Sequence, residues 1–440
     1  MFYISNIIFA IVLAIAFFLF RRNILFIKRN IQMGQAIERR DYSSKRWSNM
    51  IRIALGQSKM VNRPIAGLLH IIVYIGFILI NIELIEIVLD GLLGTHRLFA
   101  PYMGIAYDLL IASFEILAAL VFVSVLLFWV RRNVIKINRF RKSEMKGWPK
   151  NDADYILYFE VVLMTLFLSM NATDQLLQEL GNPNYTKAGL FPVSQLITPV
   201  FSFFSTSTLV ILERSFWWLH IGGILIFLNY LYYSKHLHIL LAFPNTYFMN
   251  LNPIGGFKNN SIVTKEVKII LDPNADQFAN ATEDTTLEKF GASDVTDLNW
   301  VQLMNAYTCT ECGRCTDECP ANQTGKLLSP RKIMMDTRDR LEEVGRNINH
   351  NGSYQDDGNQ LLDNYITREE LWACTSCNAC VETCPIGIDP LSIIMDMRQY
   401  LVMEQSAAPI DLNNMMSNIE NNGAPWPFSN QDRMLWAKEN

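Results

Sequence analysis

The sequence predicts an all-α membrane bundle of five transmembrane helices, followed by a small, α-rich cytoplasmic domain. The 440 residues are 50% hydrophobic and 18% charged, whereas an average soluble domain has about 25% charged residues. The long apolar spans all lie within residues 1–240, and the eight cysteines all lie in two short runs near the other end. Residues 1–240 carry a formal charge of +9 (23 basic, 14 acidic), and residues 241–440 carry −13 (15 basic, 28 acidic). Such asymmetry indicates two different environments.

Five spans are long and apolar enough to cross about 30 Å of hydrocarbon as helices, which takes about 20 residues. The first is too long for the apolar core of a signal peptide, and Arg21 and Arg22 follow it, so we predict a membrane helix. Residues 192–210 are also apolar, but Pro192 and Pro199 interrupt them, which favours an interfacial or re-entrant segment. The predicted spans are roughly residues 3–20, 65–89, 106–130, 153–172 and 212–239.

The basic residues of the connections predict the orientation. The connections 21–63 and 131–150 contain 11 and 8 Lys and Arg residues, whereas 90–105 and 173–211 contain one each. Loops rich in Lys and Arg stay in the cytoplasm. We therefore predict a multi-pass protein of the bacterial inner (cytoplasmic) membrane, with its N-terminus outside and everything after residue 240 in the cytoplasm. A membrane explains these basic residues, so no nucleic-acid partner is expected.

The cysteines form two runs with the same spacing, Cys-x2-Cys-x2-Cys-x3-Cys-Pro, offset by 65 residues. This spacing is typical of bacterial proteins with two [4Fe–4S] clusters, in which the fourth cysteine of each run binds the other cluster. Zinc sites use cysteine pairs, and disulfides are disfavoured in the cytoplasm. The predicted ligands are Cys309, Cys312, Cys315 and Cys384 for the first cluster and Cys319, Cys374, Cys377 and Cys380 for the second.

The rest of the cytoplasmic part divides into three segments. Residues 241–295 are predicted to be a linker that contains a short strand at 262–272, because that stretch is β-branched and partly alternating. Residues 296–405 are predicted to form a dicluster ferredoxin-like domain with apolar residues at helical spacing. Residues 406–440 form a tail that either docks a partner subunit or packs on its own domain. Neither a dinucleotide-binding fingerprint nor a P-loop occurs, so a flavin or NAD donor is expected on a partner.

Two histidines are predicted to bind haem b. His70 lies about one and a half turns into the second span, and His238 lies at the cytoplasmic end of the fifth, so the two share a depth. Neutral imidazoles at one level on facing helices suit axial ligation of a haem iron. A hydrogen-bonded pair in the core is the alternative.

Other polar residues in or near the spans are candidates for a second haem or a quinone site. His220 precedes His238 by 18 residues, or five turns of one continuous helix, so both would point the same way about 27 Å apart. His96 in an outer loop is the candidate partner of His220, and His236 is a further candidate or an interfacial residue. Four carboxylates also lie in or near the spans: Glu83, Glu86, Glu115 and Glu160. We expect one of them to exchange protons with a quinol. The alternative is that each pairs with other polar groups in the bundle.

Several segments resemble known proteins. Leu68-Leu69-His70, Trp218-Leu219-His220 and Lys235-His236-Leu237-His238 resemble the haem b (gamma) membrane subunit of respiratory nitrate reductase. The stretch from Cys309 to Cys315, with Asp297-Leu298-Asn299-Trp300 before it, is similar to the iron–sulfur part of heterodisulfide reductases and of membrane-bound oxidoreductases for electron-transferring flavoprotein.

This resemblance implies a nitrate reductase gamma-like haem b domain at residues 1–240. It matches His70 and His238 to the haem ligands nearer the cytoplasm and His220 to one ligand of an outer haem, whose partner position is Ile80 here. It also implies a separate CCG-type iron–sulfur subunit as a partner.

The predicted function is that of an oxidoreductase subunit. Electrons from a cytoplasmic flavin dehydrogenase or electron-transferring flavoprotein would pass through the CCG-type partner, the two clusters and haem b to a membrane quinone, with the redox chemistry supplied by the cofactors. A quinol-linked disulfide reductase of the heterodisulfide type is one alternative. A non-catalytic iron–sulfur membrane anchor is the other.

Overall fold

The computed structural model describes residues 2–257, 259–272 and 289–438 and is built almost entirely of helices. Within these ranges it contains no β-strand, only isolated bridges such as the one between Gln35 and Asn299. The membrane part consists of α1 (Phe2–Gln32), α2 (Ser43–Met50), α3 (Pro64–Leu93), α4 (Ala100–Met103), α5 (Ile105–Asn133), α6 (Trp148–Glu179), α7 (Thr198–Phe201), α8 (Thr206–Tyr230) and α9 (His238–Phe248).

Five of these helices are long and apolar enough to cross a membrane, as predicted. The spans run over Ile4–Gln32, Pro64–Leu93, Ile105–Asn133, Trp148–Glu179 and Thr206–Tyr233, so the first and fourth extend beyond the predicted ranges. Their outward faces are apolar, and residues such as Ile65, Leu109 and Ile226 are more than 60% exposed. An apolar surface of this kind suits contact with lipid chains.

The fifth span is predicted to end at residue 239, and this predicted end is wrong. Helix α8 stops at Tyr230, two short 3₁₀ turns follow, and His238 is the first residue of α9. The backbone of Ser234 is extended, and its hydroxyl accepts a hydrogen bond from the His236 amide at 3.0 Å. A serine that bonds its own backbone competes with the helix. His220 and His238 therefore lie on different helices, and the inference that both face one way along a single helix fails.

The strand predicted at 262–272 is also wrong, because Ser261–Leu271 is a helix, α10. Val263, Val267 and Ile270 recur at the spacing of one helical face, and β-branched residues lower helix propensity only slightly. Residues 258 and 273–288 of the predicted linker lie outside the described ranges, and residues 241–248 belong to helix α9. The segment predicted as interfacial or re-entrant, 192–210, contains a 3₁₀ turn, the short α7 and the first turns of α8.

The cysteine-rich part is a compact helical domain around one apolar core. Its elements are α11 (Trp300–Thr308), α12 (Arg314–Asp317), α13 (Pro320–Gln323), α14 (Pro330–Asn351), the distorted turn α15 (Leu361–Asn364), α16 (Arg368–Ala373), α17 (Ala379–Thr383), α18 (Pro390–Met403) and, in the tail, α19 (Ile410–Asn422). Ile27 of α1 and Leu237 belong to the same core. The membrane part and this domain are therefore packed together.

The C-terminal end of α1 carries polar contacts of this packing. Asn30 is fully buried and donates a hydrogen bond to the Tyr307 hydroxyl at 2.9 Å. Arg29 donates to the Gly345 carbonyl at 2.8 Å. Because α1 reaches from the bundle into the domain, it fixes the cysteine loops relative to the membrane helices.

Candidate functional site: two cysteine loops beside a cavity in the bundle

The two cysteine runs fold into loops with the same backbone conformation. In the first, Glu311 and Gly313 flank Cys312 and both have positive φ. In the second, Ser376 and Asn378 flank Cys377 and have positive φ as well, at the same 65-residue offset. A Cβ at Gly313 would lie 2.5 Å from Nη1 of Arg331. Glycine therefore serves here both for its φ and for the close approach of a buried arginine.

The structure brings the two cysteine runs together, with Cys380 of the second predicted group also close to Cys315. The charges of Cys309, Cys312 and Cys384 act on Cys315, and those of Cys319 and Cys377 act on Cys374. A small cavity is lined by four cysteines of the first group and also by Cys380. No three His, Cys, Asp or Glu side chains among the described residues converge closely enough to hold a single metal ion. A cubane, by contrast, holds its four thiolates at separate corners.

The chemistry of these cysteines fits bound iron. Burial raises the pKa of the Cys309 thiol to about 12 and that of Cys384 to about 11. Thiolates are the species that bind iron–sulfur clusters, so the positive charge of the iron has to offset this burial. Backbone amides already face two of the sulfurs, since Ser376 N lies 3.4 Å from Cys374 Sγ and Ile388 N lies 3.3 Å from Cys384 Sγ.

A buried ion-pair cluster joins the first cysteine loop to the segment before α9. Glu311, which is 3% exposed, contacts Lys235 and accepts from Arg338 at 2.8 Å. Burial opposes the charged form of Glu311, but the two cations hold the pKa of its carboxyl below the usual value. The backbone amide of Lys235 in turn donates to Asp152 of α6 at 3.1 Å. These contacts hold the first cysteine loop against the bundle. The sequence did not predict them, although Glu311 lies between Cys309 and Cys312.

A cavity with a volume of about 550 Å³ lies in the bundle. This bundle cavity is within the range of about 300–1,000 Å³ typical of ligand pockets. His70, His220, His236 and His238 line it, and so does Cys312. It shares part of its wall with the cavity between the cysteines, through Thr310, Cys312, Arg314, Pro385 and Ile386. A group bound in the bundle cavity would therefore be close to a cluster bound by the first cysteine group.

Three of these histidines form one cluster at the end of the bundle cavity near the cysteines. The rings of His236 and His238 have centroids 5.5 Å apart, and His70 is close enough to act electrostatically on His236. Nδ1 of His238 lies 3.0 Å from the Lys235 carbonyl, which leaves Nε2 for a metal, as is common in metal-binding histidines. Nδ1 of His70 is buried without a hydrogen-bond partner among the described residues. Burial lowers the pKa of His236, to about 3, and that of His238, so both rings are neutral.

His220 lines the cavity from α8, whereas His96 does not line it. Nδ1 of His220 lies 3.1 Å from the Leu163 carbonyl, so Nε2 is the nitrogen left for the cavity. His96 lies 3.1 Å from Asp174 through Nε2 and accepts from the Thr186 amide at 3.1 Å through Nδ1. Both ring nitrogens of His96 are engaged by these contacts, so the structure does not bring His96 together with His220, and their pairing around a second haem stays a prediction.

The four predicted carboxylates separate into two kinds. Glu86 accepts from the Tyr107 hydroxyl at 2.7 Å, and Glu115 accepts from the amides of Val193 and Ser194. These two are satisfied within the bundle, which fits the alternative of polar partnering. Glu83 and Glu160 line the bundle cavity instead.

Comparison with known proteins identifies the cysteine-rich part. Residues 303–385 match the family model of the 4Fe-4S dicluster domain. The chain contains a dicluster domain. Its residues support two [4Fe–4S] clusters, as predicted from the spacing, whereas the assignment of each cysteine to a cluster is a proposal.

The whole chain is similar to iron–sulfur oxidoreductases. It is 27% identical to the "Probable iron-sulfur-binding oxidoreductase FadF" of Bacillus subtilis, over 100% of this chain and 61% of the relative. It is 25% identical to the EtfAB:quinone oxidoreductase of Syntrophomonas wolfei, over 92% of this chain and 55% of the relative. The chain thus spans less than two thirds of the length of these two relatives. Both relatives are named as oxidoreductases, the class that the sequence predicts.

A shorter match covers about a third of the chain. A protein of Archaeoglobus profundus that is named as similar to a heterodisulfide reductase subunit is 26% identical over 31% of this chain and 61% of the relative. No solved structure matches the chain.

Proposed function

We propose that the chain is a membrane electron-transfer subunit that connects a cytoplasmic flavin-containing donor with a membrane quinone. One observation carries this proposal: the bundle cavity has His70 and His238 at one end, and it shares Cys312 in its wall with the cavity between the first group of cysteines. A path for electrons needs its redox groups close together, and this arrangement supplies adjacent places for a cluster and a haem.

In this proposal, the two cysteine groups hold two [4Fe–4S] clusters, and His70 and His238 hold one haem b between them. Bound iron in these places takes and gives one electron at a time. The chain itself fixes the distances: Glu311, Lys235 and Arg338 hold the cysteine loop against α9, and the Lys235 carbonyl orients His238. His236 and His220 are the candidates for further contacts to the haem, to a second haem or to a quinone.

The donor is proposed from the names of the relatives. The Syntrophomonas relative is named for EtfAB and a quinone, so we propose an electron-transferring flavoprotein, reached through a CCG-type iron–sulfur unit, as the electron source. With the loops rich in Lys and Arg in the cytoplasm, the dicluster domain faces that compartment and the N-terminus lies outside. The exposed tail helix α19 is a candidate surface for the partner.

The experiment that tests the proposal is the spectrum of the purified full chain and of three single-histidine variants. His70→Ala and His238→Ala are expected to abolish the reduced haem band, because each removes one axial ligand. His236→Ala is the matched control, since its ring lies beside His238 in the same cavity, and it is expected to keep the band. Loss of the band in His236→Ala with retention in His238→Ala would reassign the ligand, and a wild-type chain without haem after reconstitution would contradict the proposal.

A second candidate function is a quinol-linked disulfide reductase of the heterodisulfide type. The match of about a third of the chain to the Archaeoglobus protein named after a heterodisulfide reductase favours it. Electrons would then leave the clusters for a disulfide site on a partner. Co-purification separates the two functions: a flavoprotein bound to the chain supports the first, and a partner that reduces disulfides supports the second.

A further inference from the structure

Glu83 is a buried acidic side chain in the bundle that neither the clusters nor the proposed haem ligands use. It lines the bundle cavity from α3 and is 3% exposed. Its Oε1 lies 3.9 Å from Nη1 of Arg97, and its Oε2 makes no hydrogen bond within the described part of the chain. A buried carboxyl oxygen without a partner destabilises the fold, so a ligand with a suitable donor or acceptor is expected there.

Glu83 lies far from the haem end of the cavity. It follows His70 by 13 residues on one helix, which corresponds to about 20 Å. His220 also lines the cavity. Its Nδ1 contacts the Leu163 carbonyl, and its Nε2 takes no part in that contact. Its ring packs against Phe167, with the centroids 5.6 Å apart, and the surrounding wall includes Ile87 and Ile224. The cavity beyond the haem end therefore combines an apolar wall with the Glu83 carboxyl and the free ring nitrogen of His220.

We propose that this part of the cavity binds the ring of the membrane quinone and that Glu83 and His220 exchange its protons. The inference rests on the proposed function, because that function supplies the electrons. Two electrons from the cluster side reduce the quinone, and two O–H bonds form. One proton comes from the carboxylic acid of Glu83, which becomes a carboxylate. The other comes from water and passes through Nε2 of His220, which is neutral before and after the step.

A polar chain of Arg97, Asp174 and His96 leads from Glu83 to the surface and marks the side from which water can return the proton. Arg97 donates to Asp174 at 2.7 Å through Nη2 and at 3.0 Å through Nε, and Asp174 lies 3.1 Å from Nε2 of His96. The His96 side chain is 18% exposed, whereas those of Arg97 and Asp174 are nearly buried. Arg97 balances the charge of Glu83 when the carboxylate forms, and His96 connects the chain with water on the side opposite the cysteines.

The test is rapid mixing of the haem-loaded full chain with a short-chain naphthoquinol, with haem reduction followed by absorbance. Glu83→Gln is expected to slow haem reduction at saturating quinol about 100-fold, since a positioned acid–base group contributes about 10²–10⁴-fold. Dithionite should still reduce its haem, and its spectrum should be unchanged. Glu83→Asp should recover part of the rate.

Glu86→Gln is the matched control, three residues away on the same helix but satisfied by Tyr107 and outside the cavity wall. We expect it to react at the wild-type rate. A Glu83→Gln variant as fast as wild type would overturn the inference and leave the proposed function intact. A wild-type chain that carries haem but does not react with naphthoquinol would overturn the quinone step of both this inference and the proposed function.

In proteoliposomes, an impermeant pH dye should report the proton change on the side opposite the dicluster domain. A change on the dicluster side would overturn the route through His96.

Discussion

At the scale of single residues, the ion pairs of the dicluster domain serve to shape its loops. Arg340 is fully buried, and its guanidinium contacts Asp294 at 2.8 Å and Asp357 at 2.6 Å. These contacts hold residues 352–360 against α14, in a stretch that the sequence describes only as polar. A buried arginine with two carboxylate partners is held by its hydrogen bonds, and removing one partner would leave a charge without compensation.

Asp297 provides a pH-dependent contribution to stability. Its carboxylate accepts hydrogen bonds from the amides of Ser293 at 2.8 Å and Asp294 at 3.0 Å and from Lys289 at 2.6 Å. Burial opposes the charged form, but these donors hold the pKa of Asp297 below its usual value. A group with a lowered folded pKa stabilises the fold above its unfolded pKa of about 3.9, and this contribution is lost as the pH falls through the folded pKa.

We therefore expect Asp297→Asn to lower the stability of the full chain by about 1–2 kcal/mol at pH 7. The difference from wild type should shrink as the pH falls below 4. The measurement is Tm in detergent at pH 7, 5 and 3.5, with the exposed residue of α19, Asp411→Asn, as control. A difference that is equally large at pH 3.5 and pH 7 would contradict this assignment.

At the scale of elements, the end of α1 approaches α11 too closely for any side chain. A Cβ at Gly34 would lie 2.5 Å from the Trp300 amide nitrogen and 2.7 Å from the Asn299 carbonyl carbon. The neighbouring Gln35 donates to the Leu298 carbonyl at 2.9 Å and accepts from the Trp300 amide at 3.2 Å. Backbone atoms cannot yield as a flexible side chain can, so glycine is required here for the contact between α1 and the dicluster domain.

Gly34→Ala is expected to push the two backbones apart at a cost of about 1–3 kcal/mol. We expect a lower Tm and faster tryptic cleavage at Arg39 or Arg40, which follow this contact. Gly222→Ala is the control, because a Cβ there meets no described atom within 4 Å in helix α8. Equal cleavage rates in the two variants would show that the contact does not hold α1 in place.

The helices show where sequence reasoning succeeds and where it stops. Apolar length predicted the five spans because each helix in lipid must satisfy its own backbone. The break after Tyr230 escaped prediction because residues 231–238 contain no Pro or Gly that would interrupt a helix, and only the backbone contacts of Ser234 reveal the turn. The helix at 261–271 escaped because β-branched residues fit both helix and strand, and only their spacing favours the helix.

The candidate site was predictable to the extent that its chemistry is local. Eight cysteines at fixed spacing define a dicluster domain without knowledge of the fold. The polar groups that depend on tertiary contacts, such as Glu311 with Lys235 or His96 with Asp174, required coordinates, because their partners are 76 and 78 residues away. Glu83 was one of four candidate carboxylates, and it is distinguished by an Oε2 that meets no hydrogen-bond partner in the described ranges.

At the scale of the whole molecule, the two cysteine groups lie at different distances from the bundle cavity. Cys312 of the first group is part of its wall, whereas Cys377 of the second group is exposed at the surface. This order suggests that electrons enter from a partner at the second cluster, pass to the first and then reach the bundle. The two clusters would then be needed together for transfer from the cytoplasmic side, but neither would be needed for a reaction between quinol and haem.

Cys312→Ser and Cys377→Ser test this order. Each variant is expected to lose one cluster signal in the EPR spectrum and to lose nearly all electron transfer from a cytoplasmic-side dye donor to the quinone. Both should still show haem reduction by naphthoquinol at the wild-type rate, because that reaction enters from the other end of the cavity. Ser376→Ala, which leaves every cysteine in place, is the control for the loop. Normal turnover from dye to quinone in a variant that lacks a cluster signal would contradict a single path through both clusters.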